Sequence, residues 1–99
     1  MKRAAKVDRN QAEIVTVLRQ MGASVLSLHR VGQGCPDLLV GYRGHTYLAE
    51  IKNGSLMGWR LTPAQREFHE LWNAPIAILD SVETAAGWIK KLSMRKQAD

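Results

Sequence analysis

At 99 residues the chain is sized for one domain with a small core, and chains this short often gain stability by pairing. Apolar residues make up 45% of it, enough to bury a core, which excludes a disordered polypeptide. A count of 14 basic against 9 acidic side chains leaves a formal charge of +5, which suits a polyanionic partner, nucleic acid before an acidic membrane.

The single cysteine, Cys35, excludes an internal disulfide and has no Cys/His cluster to build a zinc site, so it reads as a small buried or half-buried residue. No apolar run approaches membrane-spanning length. The basic start (Lys2, Arg3, Lys6, Arg9) is not followed by the hydrophobic segment of a secretory signal. Asn53-Gly54-Ser55 spells a glycosylation sequon, a chance match in a protein that is not secreted. A cytoplasmic protein with no membrane partner is expected.

In chain order, residues 1–7 are basic without an apolar period and predict a loose arm. Asp8 or Asn10 then caps a helix over about 8–21, in which Ile14, Val15, Leu18 and Met21 recur at helical spacing before Gly22. Residues 23–30 carry β-branched and apolar side chains and predict a strand. Val31 to Pro36 is a glycine-rich turn. Residues 37–42 are short and mostly apolar, as in a buried central strand. Arg43-Gly44-His45 makes a tight turn into a third strand, 46–52, so that the second and third strands form a hairpin. Residues 53–60 are a loop with an exposed Trp59. Thr62-Pro63-Ala64-Gln65 is a capping box with proline at the first helical position, opening a helix over about 62–73 with Phe68, Leu71 and Trp72 as its inner stripe. Pro75 ends it, and 76–79 is a fourth strand. Ser81 caps a third helix in which Val82, Ala85, Ile89 and Leu92 repeat at helical spacing. The tail, 94–99, is charged and frayed.

The order is αβββαβα in a single α/β domain spanning 1–99, with no repeats and no low-complexity stretch. One sheet flanked by helices is the simplest packing.

The third strand carries the chemistry. Side chains alternate faces along a strand, so Tyr47, Ala49 and Ile51 belong to the core while Leu48, Glu50 and Lys52 share the other face. Asp37 opens the neighbouring strand, and the start of one hairpin strand lies beside the end of its partner, about 5 Å away. Two carboxylates that close repel unless a divalent cation sits between them, and hard ions such as magnesium prefer oxygen ligands. A metal there would polarise a phosphate and lower the pKa of a bound water. Lys52 would orient that water or stabilise charge developing on the phosphate. The alternative is a surface ion pair of Lys52 with Glu50, worth about 0–1 kcal/mol.

Pro36-Asp37 followed by Glu50-Ile51-Lys52 resembles the PD-(D/E)XK nuclease motif. More narrowly, Gly32-x-Gly34-x-Pro36-Asp37-Leu38-Leu39-Val40-Gly41, then Glu50-Ile51-Lys52, then Leu61-Thr62-Pro63-x-Gln65 with Phe68-His69, looks like the stand-alone VRR-NUC domain of phages and bacteria. The resemblance covers about Asn10 to Trp88. It implies a restriction-endonuclease-like fold with a central mixed four-stranded sheet. It implies Mg2+ or Mn2+ held by Asp37, Glu50 and the backbone carbonyl of Ile51, with Lys52 assisting the attacking water. The activity implied is metal-dependent hydrolysis of DNA, structure-selective for branched or junction DNA, as in phage or bacterial recombination, replication and repair.

Related nucleases often add an acidic residue from the first helix. Glu13 has the right type, but the stripe of Ile14, Val15 and Leu18 points Gln11 toward the sheet and Glu13 away from it, so Gln11 is the auxiliary candidate. Gln65 reaches the active site in the family; as the third residue of a capping box it bonds back to its own helix start, and both roles stay open. His69, one turn on, contacts phosphate or is a half-exposed helix histidine. Gly32 and Gly34 let a DNA backbone approach closely; as a nucleotide-phosphate cradle the turn lacks the rest of any such pattern. Arg30, Arg43, Arg60, the N-terminal arm and Lys90-Lys91 are candidates for phosphate contacts, against a merely solvated basic surface. Trp59 with Leu56 and Met57 would wedge into a junction or bury in a homodimer, the second being preferred. Two other classes remain as alternatives: a non-catalytic DNA-binding module on a nuclease-like fold, and an α/β nucleotide-binding or structural phage protein.

Overall fold

The computed structural model describes residues 2–53 and 60–95, with side chains from residue 10 onward. Seven elements follow one another: α1 (Lys2–Gln20), β1 (Ser24–Ser27), β2 (Leu38–Tyr42), β3 (His45–Ile51), α2 (Pro63–Leu71), β4 (Ile76–Leu79) and α3 (Val82–Met94). The order is the expected αβββαβα. The strands make one mixed sheet ordered β1-β2-β3-β4, antiparallel up to β3 and parallel from β3 to β4. Parallel neighbours need a crossover, and the segment carrying α2 provides it.

Residues paired across strands share a face. Val25, Val40 and Tyr47 form one such row, Leu38, Ala49 and Ala77 a second, and Ile51 with Leu79 a third. These side chains pack against Ile14 and Leu18 of α1 and against Ala85, Ile89 and Leu92 of α3. Each large apolar side chain buried there contributes about 1.5–3 kcal/mol.

Four expectations change. The first helix begins at Lys2, not after a loose arm, so Asp8 and Asn10 lie inside it rather than capping it. Lys-Arg-Ala-Ala-Lys contains strong helix formers and no breaker, and propensity needs no apolar stripe to extend a helix beyond its packed part. The first strand is shorter than 23–30, ending at Ser27, with one further bond from Leu28 N–H to the Asp37 carbonyl. Two turns follow, closed by Val31 N–H to Leu28 and Cys35 N–H to Gly32. Leu71 and Trp72 are not an inner stripe: they are 75% and 47% exposed, and α2 buries none of its residues. The last described helix runs to Met94, so the frayed tail does not start there. Residues 54–59, with Leu56, Met57 and Trp59, and the end of the tail, 96–99, lie outside the described residues.

Both capped helices start where expected. Thr62 and Ser81 each accept from the N–H three residues on, and Gln65 and Thr84 reciprocate. Among the described residues no helix is long and apolar enough to cross a membrane.

Candidate active site

The hairpin register pairs Leu38 with Ala49, so one step outward Asp37 stands opposite Glu50. Asp37 is fixed there by its own side chain, whose Oδ2 accepts from the Ile51 N–H at 2.8 Å. The N–H and C=O of one strand residue point to the same side, so the Ile51 carbonyl also faces Asp37. Lys52 continues β3 by one residue, its N–H donating to the Leu79 carbonyl at 3.0 Å.

Glu50 is far more deeply placed than a surface ion pair, at 1% exposure. Its partner is Gln65 rather than Lys52. Gln65 Nε2 donates to Glu50 Oε2 at 3.0 Å, while Gln65 Oε1 accepts from Lys52 Nζ at 2.8 Å and from the Thr62 N–H at 2.9 Å. One amide therefore closes the capping box and bridges the charged side chains of Glu50 and Lys52 at one end of β3. Its two ends are not interchangeable: two donors meet the oxygen and one acceptor meets the nitrogen.

His69, one turn along α2, brings Nε2 to 3.5 Å from Glu50 Oε1. Both atoms are buried without a hydrogen-bond partner among the described residues. Burial, and then the Lys52 ammonium, hold the imidazole below its usual pKa, so at neutral pH this contact is not an ion pair. The Glu50 carboxyl is pushed up to about 8, first by burial, then by a hydrogen bond with Asp37 and by the Asp37 charge, with Lys52 pulling the other way. Burial and the neighbouring carboxylate both disfavour a bare negative charge on Glu50, so a positive charge beside it would be stabilising.

That charge is a proton or a cation. A buried carboxylate oxygen without a donor is costly, and a divalent ion between Asp37 and Glu50 would satisfy it. Among the described residues no group of three His, Cys, Asp or Glu side chains could hold a metal. A cation here would take two carboxylates and complete its shell with the Ile51 carbonyl, water or a substrate phosphate, as magnesium commonly does. The donor set fits a hard divalent ion on those terms.

Two residues not singled out for the site belong to its surroundings. Asn10 Nδ2 donates to the Lys52 carbonyl at 2.8 Å and ties α1 to the end of β3. Gln11 is half-buried beside it and, among the described residues, makes no hydrogen bond to Asp37, Glu50 or Lys52; Glu13 is exposed, as its helical phase predicts. Asn10 precedes Ile14 by four positions on the same stripe, and that spacing is the signal that could have found it. Cys35 is close enough to feel both carboxylates: burial raises its thiol pKa, with Glu50 and then Asp37 adding to the rise. A thiol held protonated is a poor nucleophile.

The glycine turn has an internal use. At Gly34, with φ +79°, an added Cβ would collide with the Ala64 carbonyl, so the close approach it permits is to the first turn of α2. Gly32, with φ +74°, faces open space and remains available to a ligand. Arg30 and Arg60 are exposed on the segments flanking the site. Arg43 is at the opposite end of the hairpin, where its Nη1 donates to the Ser93 carbonyl at 3.1 Å. Lys90 and Lys91 are exposed on α3.

No family model, curated protein or solved structure matches the chain.

Proposed function

We propose that the protein is a metal-dependent DNA endonuclease that hydrolyses phosphodiester bonds, selective for branched or junction DNA and acting as a homodimer. The observation that carries this reading is the pair Asp37–Glu50 at one end of β3, with a buried Glu50 oxygen that has no hydrogen-bond partner among the described residues and Lys52 two residues on. The nuclease resemblance of the same residues supports it, as does the net charge of +5.

Asp37 and Glu50, with the Ile51 carbonyl, would hold Mg2+ or Mn2+. Such an ion supplies Lewis acidity toward a phosphoryl oxygen and acidity to a bound water. Lys52 has an ammonium to place against charge developing on the phosphate. Gln65 sets where that ammonium sits, by accepting from it while donating to Glu50. His69, neutral and 3.5 Å from Glu50 Oε1, helps keep bulk water from that buried carboxylate, which strengthens its grip on a cation. The dimer is supported by the exposed Leu71 and Trp72 of α2, the latter stacked at 5.3 Å on the half-buried Phe68.

The test is cleavage of labelled linear, flapped and four-way DNA with magnesium, manganese or a chelator. Metal-dependent cutting is expected, with Asp37→Asn and Lys52→Ala each slowing it by roughly 10²–10³-fold or more. Unchanged cutting by Lys52→Ala would place the chemistry elsewhere. Binding without cutting, indifferent to metal, would make the protein a DNA-binding module.

A further inference from the structure

A second concavity among the described residues lies away from the carboxylates. It is a groove of about 880 Å³ between the outer edge of β4 and α3, closed at one end by the turn between β2 and β3. From β3, His45 and Tyr47 line it, at the other end of the strand from Glu50. Five residues of extended chain separate His45 from Glu50, roughly 17 Å.

Three observations say what it accepts. Its permanent charges are Arg43, Lys91 and Arg95, and the described residues lining it include no carboxylate. Its floor is aromatic: Tyr47 and Trp88 meet edge to face at 5.6 Å. The third is Gly87. A glycine inside a helix costs about 1 kcal/mol relative to alanine. Here it serves neither backbone nor packing, since its φ is ordinary and an added Cβ would meet nothing within 4 Å. What the missing side chain leaves is open space in the groove wall, next to Trp88.

We propose that this groove binds a single-stranded DNA segment, with a base against Trp88 and Tyr47 and phosphates on Arg43, Lys91 and Arg95. Aromatic faces flanked by cations are how proteins hold unpaired strands without reading their sequence. A peptide added to the β4 edge would also use backbone groups there, but it gives Lys91 and Arg95, which meet no carboxylate among the groove's described lining, nothing to do, and Arg43 nothing beyond its bond to Ser93. The proposal rests on the nuclease reading for one point only, that the strand is an unpaired arm of the DNA being cut. It makes the protein selective for substrates with such an arm.

The experiment is fluorescence anisotropy of labelled oligothymidylate and of an abasic deoxyribose-phosphate oligomer of equal length. It uses Asp37→Asn protein in chelator, so that neither cleavage nor metal binding enters. Oligothymidylate is expected to bind more tightly than the abasic strand, by about tenfold or more for one or two stacked bases. Gly87→Glu should weaken it by a similar factor while the protein melts no lower than Gly87→Ala by more than a degree or two. Arg95→Glu should weaken both oligomers and flatten the salt dependence. Equal affinity for the two oligomers, or full affinity in Gly87→Glu, overturns the proposal. So does a dimer in sedimentation that Gly87→Glu splits, which would give the groove to a second copy. Cleavage of flapped DNA by wild-type protein is measured alongside: binding without cutting would remove the nuclease reading and leave the strand site standing.

Discussion

Helices α2 and α3 begin alike, each with a reciprocal capping box, and are held in opposite ways. α3 inserts Ala85, Ile89 and Leu92 into the core and would be recognised as structural in any protein. α2 buries nothing. Its inward side is Gln65 and His69, which meet Glu50 and Lys52, and its first turn leans on Gly34. An apolar contact tolerates sliding, whereas these hydrogen bonds run between named atoms. α2 is therefore positioned by the site it helps to form, and a change at the carboxylates should be felt along it.

The contrast breaks most visibly in stability. Ile89→Ala should lower the unfolding free energy by about 2–5 kcal/mol, the usual result of hollowing a core, measurable by urea denaturation. A loss under 1 kcal/mol would mean that α3 is not the anchor described. Gly34→Ala comes next. It must either strain a left-handed backbone position or push α2 away from the sheet, for about 1–3 kcal/mol. Its sharper signature is functional: a displaced α2 withdraws Gln65 from Lys52, so under the proposed nuclease function cleavage should fall by a larger factor than the Lys52-independent binding of DNA. Equal melting temperatures for Gly34→Ala and wild type would show that the turn and α2 do not touch.

The third effect is a slope. The Glu50 carboxyl titrates near 8 in the folded protein and at an ordinary carboxyl value near 4.5 when unfolded. Between those values the folded state holds the extra proton, so metal-free stability is full at about pH 4.5 and is lost as pH rises through 8. Melting temperatures in chelator should fall over that window. Glu50→Gln should flatten the fall, and magnesium or manganese should counter it at the alkaline end by substituting for the proton. A flat profile in the wild-type protein would mean that Glu50 is ionised throughout.

How much of this was legible in the sequence follows the same division. The elements packed on the apolar face of the sheet came out in the right order because their spacing records burial directly: Ile14 with Leu18, and Ala85, Ile89, Leu92. The pairing of Asp37 with Glu50 was legible because a hairpin has only one sensible register when both strands have an inner face. The length of α1 was not, since an exposed helix extension is written in propensity and leaves no apolar period. The inward side of α2 was misread for the opposite reason. Leu71 and Trp72 have the hydrophobicity of a buried stripe, yet they lie exposed while Gln65 and His69 face Glu50 and Lys52; of the expected stripe only Phe68 is half-buried. For Gln65 the sequence leaves the capping box and a place beside Glu50 and Lys52 open as alternatives; that one amide makes both sets of hydrogen bonds depends on the distance between α2 and β3, which no spacing along the chain encodes.

The smallest expected effect is the one most particular to α2. On an ordinary amphipathic helix, trimming a leucine costs more than trimming a glutamine. Here the order should invert. Gln65→Ala removes the hydrogen bonds that Lys52 Nζ and the buried Glu50 Oε2 make to it, and half a capping box, for about 1–3 kcal/mol. Leu71→Ala, at a residue 75% exposed, should stay within about 0.5 kcal/mol at low protein concentration. If the loss on Leu71→Ala grows as the protein is concentrated, the face is covered by a second copy, and mass action reports the dimer directly. If Leu71→Ala costs more than Gln65→Ala even in dilute solution, α2 is held by its apolar side after all, and the polar anchoring to the site is wrong.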